Sequence, residues 1–370
     1  MAYIFMNLII LYFLGVNKIF NNKKVRKISI IILGMLLFLF AGFKYRLGYD
    51  WAWYEIFFKN VENIFEVIKG NNYFFKSSEY AIGYNLLNSI IKVFTSNPQY
   101  IFVISALIMV LLVFSRLESY SKSPLFSILL LFNILFVNVF MEGIRQGIAA
   151  CLFFFSIKYI KTKEFNKYLF CILLATSFHS TAIILLPLYF LLDKKYSDKF
   201  IIVCAMIGIL MILLDKSIGK YITELLAPRM SYIESKSVVY LDSERGGSKY
   251  GFSFGILKQF LFIIIMFFLR DVLKKGTCKD MYFDIFFNMY FIFFIIQALF
   301  NDFFILPNRL GLYFKFSYII CYPYLIFINE DIIWRIVVTF ALIGYTFLNF
   351  YIFYVNFQGV WIPYSNYLFR

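Results

Sequence analysis

The sequence has 370 residues, 62% of them hydrophobic and only 15% charged, with a mean hydropathy of +0.78. A soluble domain carries about 45–50% apolar and about 25% charged residues, so this composition excludes one. The net charge of +15 does not point to nucleic acid, because the lysines cluster in short loops between apolar runs, where they set membrane topology.

Apolar runs follow one another at 3–20, 28–43, 99–115, 124–141, 144–160, 199–215, 254–270, 282–300, 309–328 and 332–354. As a helix, each such run reads as long enough to cross roughly 30 Å of hydrocarbon. The period-2 alternation of a membrane barrel is absent. The expected fold is an all-α polytopic membrane protein forming a single domain over residues 1–370, with about ten full transmembrane helices. The opening run, MAYIFMNLIILYFLGVNKIF, has no positive residue ahead of it. It reads as a first span with its N-terminus outside, not as a cleaved signal peptide.

The loops NNKKVRK (21–27), KYIKTKEFNK (158–167) and RDVLKKGTCKD (270–280) are short and basic, which assigns all of them to the cytoplasm. They share a side only if 168–192 enters the membrane and returns. That predicts a short helical hairpin turning at SFHS (177–180), with His179 at depth. Non-helical backbone at such a depth requires surrounding protein or a wet cavity. Residues 44–98 then form a large external region whose second half lies along the membrane surface or re-enters, and 216–253 forms another. The tail from residue 355 also lies outside.

Cys151, Cys171, Cys204 and Cys321 fall inside apolar runs and Cys278 in a basic loop, with no zinc-like spacing; the chain has one histidine. No metal and no cofactor are expected.

The polar exceptions collect on the external face. MEGIRQGIAAC (141–151) sits between stretches that are almost pure hydrocarbon, where a charge is costly unless paired or wetted. FKYRLGYDWAWYEIFF (43–58), SSEYAIGYNLLN (77–88), His179, Asn301 to Arg309 and VWIPYSNY (360–367) share that face. Arg46, Arg145 and Arg309 offer planar forks suited to phosphate. Asp50, Glu79, Glu142 and Asp302 are candidate bases or ligands of sugar hydroxyls, with Gln146 beside them. His179 can carry a proton near neutral pH. Trp51, Trp53, Tyr54, Tyr80 and Tyr84 can stack on sugar rings. Each has a plainer reading: interfacial belt aromatics, a snorkelling Arg46, a Glu142–Arg145 pair on one helical turn, a helix-capping His179.

Together these residues resemble a known family. Arg46, Gly48, Asp50 and Tyr54 resemble the R-x-G-x-D loop of the EpsG family of Wzy-like polymerases. Arg145, Gln146, Ile148 and Ala149 match its middle signature. Phe178 to Ala182 resemble its F-H-S-T-A motif, and Asn308, Arg309, Leu310 and Tyr313 its late arginine motif, with Asn308 where an acid often stands. Trp361, Pro363 and Tyr364 resemble its C-terminal ending.

The resemblance implies a repeat-unit polymerase of O-antigen or exopolysaccharide, at the outer face of the bacterial cytoplasmic (inner) membrane. It would move a growing glycan from undecaprenyl diphosphate onto another lipid-linked oligosaccharide, beside a chain-length regulator and without nucleic acid or nucleotide sugar. Arg145, Arg309 and Arg46 would bind the diphosphate. His179, Asp50 or Glu79 would act as the base. Glu142, Gln146, Trp51, Tyr54, Tyr84 and Asp302 would contact sugar. The rivals are a flippase for the same lipid-linked glycan, a membrane acyltransferase and an O-antigen ligase. A flippase would want its cations along a path open to both sides. An acyltransferase would want its His facing the cytoplasm. A ligase would carry a larger late external loop.

Overall fold

Two asparagines settle how the first helices end and begin. Asn21 adopts the left-handed conformation (φ 39°, ψ 39°) that stops α1 (Ala2–Phe20). The Asn22 side chain accepts from Lys24 N at 2.7 Å and caps α2 (Lys23–Gly42). Asparagine tolerates the first conformation and is a preferred N-cap. A computed structural model describes residues 1–77, 81–218, 251, 253–275, 282–301 and 305–369. The chain forms two compact units, Met1–Tyr189 with Tyr318–Arg370, and Phe190–Ser317.

In the first unit α2 is followed by α3 (Trp51–Asn60), α4 (Ile64–Ile68), α5 (Tyr73–Ser77), α6 (Ile82–Phe94), α7 (Gln99–Tyr120) and α8 (Pro124–Leu130). The last continues as π-helix through Leu131–Leu135 and Val137–Glu142; α9 (Ile144–Lys161), α10 (Phe165–Phe178), a 3-10 turn (Ser180–Leu185) and α11 (Leu188–Leu191) complete the series. No strand forms among the described residues, only the isolated bridges Lys44–Asn366 and Gln358–Ile362. The protein is an all-α polytopic membrane protein. Five helical stretches are long and apolar enough to cross a membrane, namely Ala2–Phe20, Lys23–Gly42, Gln99–Tyr120, Pro307–Phe327 and Ile332–Asn356, and shorter apolar helices accompany them.

α2 and α7 run antiparallel. Arg26 pairs with Glu118 at 3.3 Å at one end, and at the other Gln99 Nε2 donates to Gly42 O at 2.7 Å. Tyr120 OH donates to Phe155 O and accepts from Lys158 N, so two of the loops expected in the cytoplasm, 21–27 and 158–167, share the Arg26 end. The opposite end is called the loop end below.

The segment 124–141, expected as a plain helix, changes to π-helix at Leu131. Asn133 Nδ2 donates to Leu129 O at 2.9 Å and to Asn7 Oδ1 at 2.7 Å. A side chain that takes a carbonyl from the regular ladder favours such a widened turn, and π-turns concentrate at functional sites.

The predicted hairpin over 168–192 is present. α9 and α10 pack along their length, and the chain reverses at His179. Tyr168 OH donates to Leu185 O at 2.6 Å, and the Tyr189 ring lies 5.0 Å from Phe165 and 5.3 Å from Tyr168.

Residues 44–98, expected as a large external region, carry the helices α3 to α6 over most of their length. In α6, Asn85, Asn88 and Ser89 are buried, whereas Ile82 and Phe94 are 64% and 84% exposed. A polar inner face and an apolar outer face fit a helix lying in the membrane interface.

The second unit contains α12 (Asp198–Leu213), α13 (Phe254–Lys275), α14 (Phe283–Leu299) and α15 (Ile305–Phe314). α14 is buried almost all round. A Cβ on Gly208 would lie 2.9 Å from the Phe294 ring, so α12 approaches α14 closely because that position carries no side chain. Asn288 Nδ2 ties α14 to the carbonyls of Leu192 (2.7 Å) and Lys194 (2.8 Å). The segment read as a span over 309–328 falls in the stretch Pro307–Phe327 that is long and apolar enough to cross, but its helix is irregular. α15 stops at Phe314, and Phe316–Cys321 gives way to a 3-10 turn at Tyr322–Phe327, where Pro323 lacks the N–H an α-helix needs. α16 (Ile332–Asn356), capped by Asp331 accepting from Ile333 N at 3.1 Å, then leads to the tail. Most of the predicted loop 216–253 lies outside the described residues.

Candidate active site

The R-x-G-x-D loop does not fold by itself. It is closed by the tail that follows α16. Tyr45 N donates to Ser365 O at 3.0 Å, Gly48 N to Val360 O at 3.2 Å and Tyr367 N to Phe43 O at 2.8 Å. Tyr364 stacks on Phe40 with ring centroids 4.1 Å apart and donates from its OH to Phe40 O at 2.8 Å. The loop bends through two left-handed residues, Arg46 (φ 50°) and Gly48 (φ 94°). Gly48 is required twice over. Its φ suits glycine, and a Cβ there would meet the Trp361 ring at 2.5 Å and Glu142 Oε2 at 2.6 Å.

Against this loop stands the end of the π-helix. Glu142, half-buried, accepts from Asp50 N at 2.9 Å through Oε1. Gly143 (φ −80°, ψ 65°) then turns the chain into α9, whose first turn carries Arg145. Burial raises the Glu142 carboxyl above the usual range. The Asp50 amide opposes this, the Asp50 carboxylate adds to it, and Lys44 opposes it.

Beneath the loop lies a residue the sequence reading passed over. Lys44 is 1% exposed, its Nζ donating to Met141 O and to Leu47 O at 3.2 Å. The ammonium lies 4.9 Å from the centre of the Phe102 ring and 5.2 Å from that of Trp361. Burial pushes it down to about 7, against the pull of Glu142 and Asp50. In sequence, a lysine just after an apolar run looks like a flanking topology charge, and only its immediate approach to R-x-G-x-D marks it out.

The predicted residues now have places. Arg46 is exposed, 5.3 Å over the Tyr45 ring, and borders a cleft of about 340 Å³ with Gly48, Trp51, Ala52 and Glu55. Trp51 Nε1 is buried without a hydrogen-bond partner among the described residues. His179 ends α10. A Cβ on Gly83 would meet Ser177, two residues before it, which puts His179 beside the start of α6 at the loop end. Gln146 is buried on α9.

The sugar stacking expected of Trp51, Tyr54 and Tyr84 is not where the structure puts these rings. Trp51 lies flat on Phe102 (5.5 Å, 1°), Tyr54 packs on Tyr84 at 5.6 Å, and all three residues are buried. Their faces serve the core, while Trp53, 65% exposed, offers an open ring. Arg309 belongs to the second unit and is exposed on α15. Glu79, Tyr80 and Asp302 lie outside the described residues.

Arginines, carboxylates and a histidine at one end of a bundle of apolar helices mark an integral membrane protein with a cluster of charged residues at that end. The EpsG family model matches residues 27–368, nearly the whole chain. The protein belongs to the EpsG family, a family of Wzy-like polysaccharide polymerases. No curated protein and no solved structure matches it.

Proposed function

We propose that the protein polymerises undecaprenyl-diphosphate-linked oligosaccharide repeat units at the outer face of the bacterial cytoplasmic membrane. The observation that carries this reading is the convergence of Arg46, Asp50, Glu142, Arg145 and His179 at the loop end of a lipid-embedded unit.

Arg145 and Arg46 bind the donor diphosphate, helped by the positive N-terminal end of α9. A hydroxyl oxygen of the acceptor sugar attacks the anomeric carbon of the donor glycan. The bond from that carbon to the phosphate oxygen breaks, and the lipid diphosphate leaves with the electron pair. The guanidinium groups stabilise the charge gathering on that oxygen. His179 or Asp50 takes the hydroxyl proton. Lipid-linked donor and acceptor reach the site from the bilayer, beside the apolar outer face of α6. A chain-length regulator is the partner expected beside it.

The test is genetic. Deleting the gene in its host should leave surface glycan as single repeats on a sizing gel, and wild type should restore a ladder. Arg145→Ala, confirmed in the membrane, should return single repeats, since loss of one such charge stabiliser costs about 10²–10³-fold. A full ladder with Arg145→Ala would remove Arg145 from the site. Loss of all surface repeats in the deletion would favour a flippase. The side of the membrane is tested separately. Ser180, exposed beside His179, replaced by Cys should react in intact cells with a membrane-impermeant maleimide. Labelling only from the cytoplasmic side would overturn the assignment.

A further inference from the structure

We infer that Lys44 is a positioning residue of this site: its buried ammonium locks the R-x-G-x-D loop to the end of the π-helix and sets the charge on Glu142. A topology lysine turns its head to water. Lys44 turns inward and is 1% exposed, which lysines almost never are unless paired.

Its contacts explain the lock. The Met141 carbonyl is among the last of the π-helix, where helical partners run out and the dipole is negative, so a cation is favoured there. The Leu47 carbonyl belongs to the loop. The ammonium therefore grips the residue before Glu142 and the residue before Gly48. Gly48 packs against Glu142 Oε2, and Asp50 N donates to Glu142 Oε1. Both sides of the Asp50–Glu142 contact thus hang from one amino group. The rings of Phe102 and Trp361 wall it off from water and add cation–π attraction. Among the described residues, the titratable groups acting on Glu142 are Lys44 and Asp50. Around Lys44, α7 contributes Phe102 and Gln99 and the tail contributes Trp361, none of which titrates.

The activity half of this inference rests on the polymerase reading; the titration half does not. Two variants separate charge from shape. Lys44→Met keeps length and ring contacts, and Lys44→Gln keeps a donor for one carbonyl. The first measurement is an infrared pH titration of the protonated carboxyl band that disappears in Glu142→Gln. With the cation gone, the Glu142 anion loses its partner, so the midpoint should rise by about one unit or more in either variant. The second is polymerisation of lipid-linked repeats. The rate should fall about 100-fold with little change in KM, and the acidic limb of the pH profile should move upward with the band. A rate within about twofold of wild type and an unmoved midpoint would make Lys44 inert filling. A lost rate with an unmoved midpoint would make it a strut and overturn the charge assignment. A shifted midpoint in a protein whose wild type forms no polymer would leave Lys44 in place and dismiss the polymerase.

Discussion

Replacing Gly147 by alanine is expected to remove most of the folded protein from the membrane. Gly147 lies one turn into α9, where the helix passes the final turn of the π-helix. A Cβ there would stand 1.9 Å from Val139 O and 2.9 Å from Met109 Sδ. The first neighbour is backbone and cannot rotate aside. The surroundings are equally fixed, because Val139, Met141, Ile148 and Ala149 are all at most 1% exposed. Overpacking of a dense core costs about 1–3 kcal/mol and occasionally more. Here the backbone carbonyl puts the cost at the upper end of that range or beyond it. Thermal unfolding in detergent and size-exclusion of a fluorescent fusion give the readout. A variant that elutes normally and melts within about 2 °C of wild type would show that the π-helix can relax.

Gly48→Ala should have the opposite profile, a protein that folds but does not polymerise. A left-handed residue with a side chain costs about 1–3 kcal/mol. The new methyl would also overlap the Trp361 ring at 2.5 Å and Glu142 Oε2 at 2.6 Å. The loop is at the edge of the unit and can move, so stability falls modestly. What it cannot do while moving is keep Asp50 N on Glu142, or Arg46 and Asp50 in place. Misplacing reacting groups by about 1 Å costs about 10²-fold. Cells carrying Gly48→Ala should therefore show single repeats at normal protein level. A wild-type ladder would mean that the loop geometry is not used in the reaction.

The large features were legible because the bilayer is a severe filter. Long apolar runs, short basic loops and the even number of crossings that loops on one side require favoured a hairpin at His179, and Tyr168 bonded to Leu185 is its physical trace. The groups at the loop end were legible because charge amid hydrocarbon demands a reason. Two things were hidden. The π-helix depends on where the Asn133 amide goes, to Leu129 O and Asn7, and a run of apolar letters carries no such signal. The roles of Lys44 and of the buried Trp51, Tyr54 and Tyr84 depend on which way a side chain turns. An aromatic beside a polar loop reads the same whether it faces a sugar or Phe102. Arg309 was read as part of the same site from its expected external turn and its motif, and its place on α15 is a property of the second unit.

The dependence of the loop on the tail has a consequence for how the protein is made. Phe40 accepts its hydrogen bond from Tyr364, a residue 324 positions further on. When α2 and α7 first pair in the membrane, Tyr45, Gly48 and Phe43 still lack the partners that fix them. The ribosome has yet to synthesise everything in between. Closing so long a loop is entropically expensive, and only the completed tail delivers the contacts that offset it. Until then the nascent chain holds its arginine and acids in an unformed turn, so the half-made protein has no assembled loop with which to act.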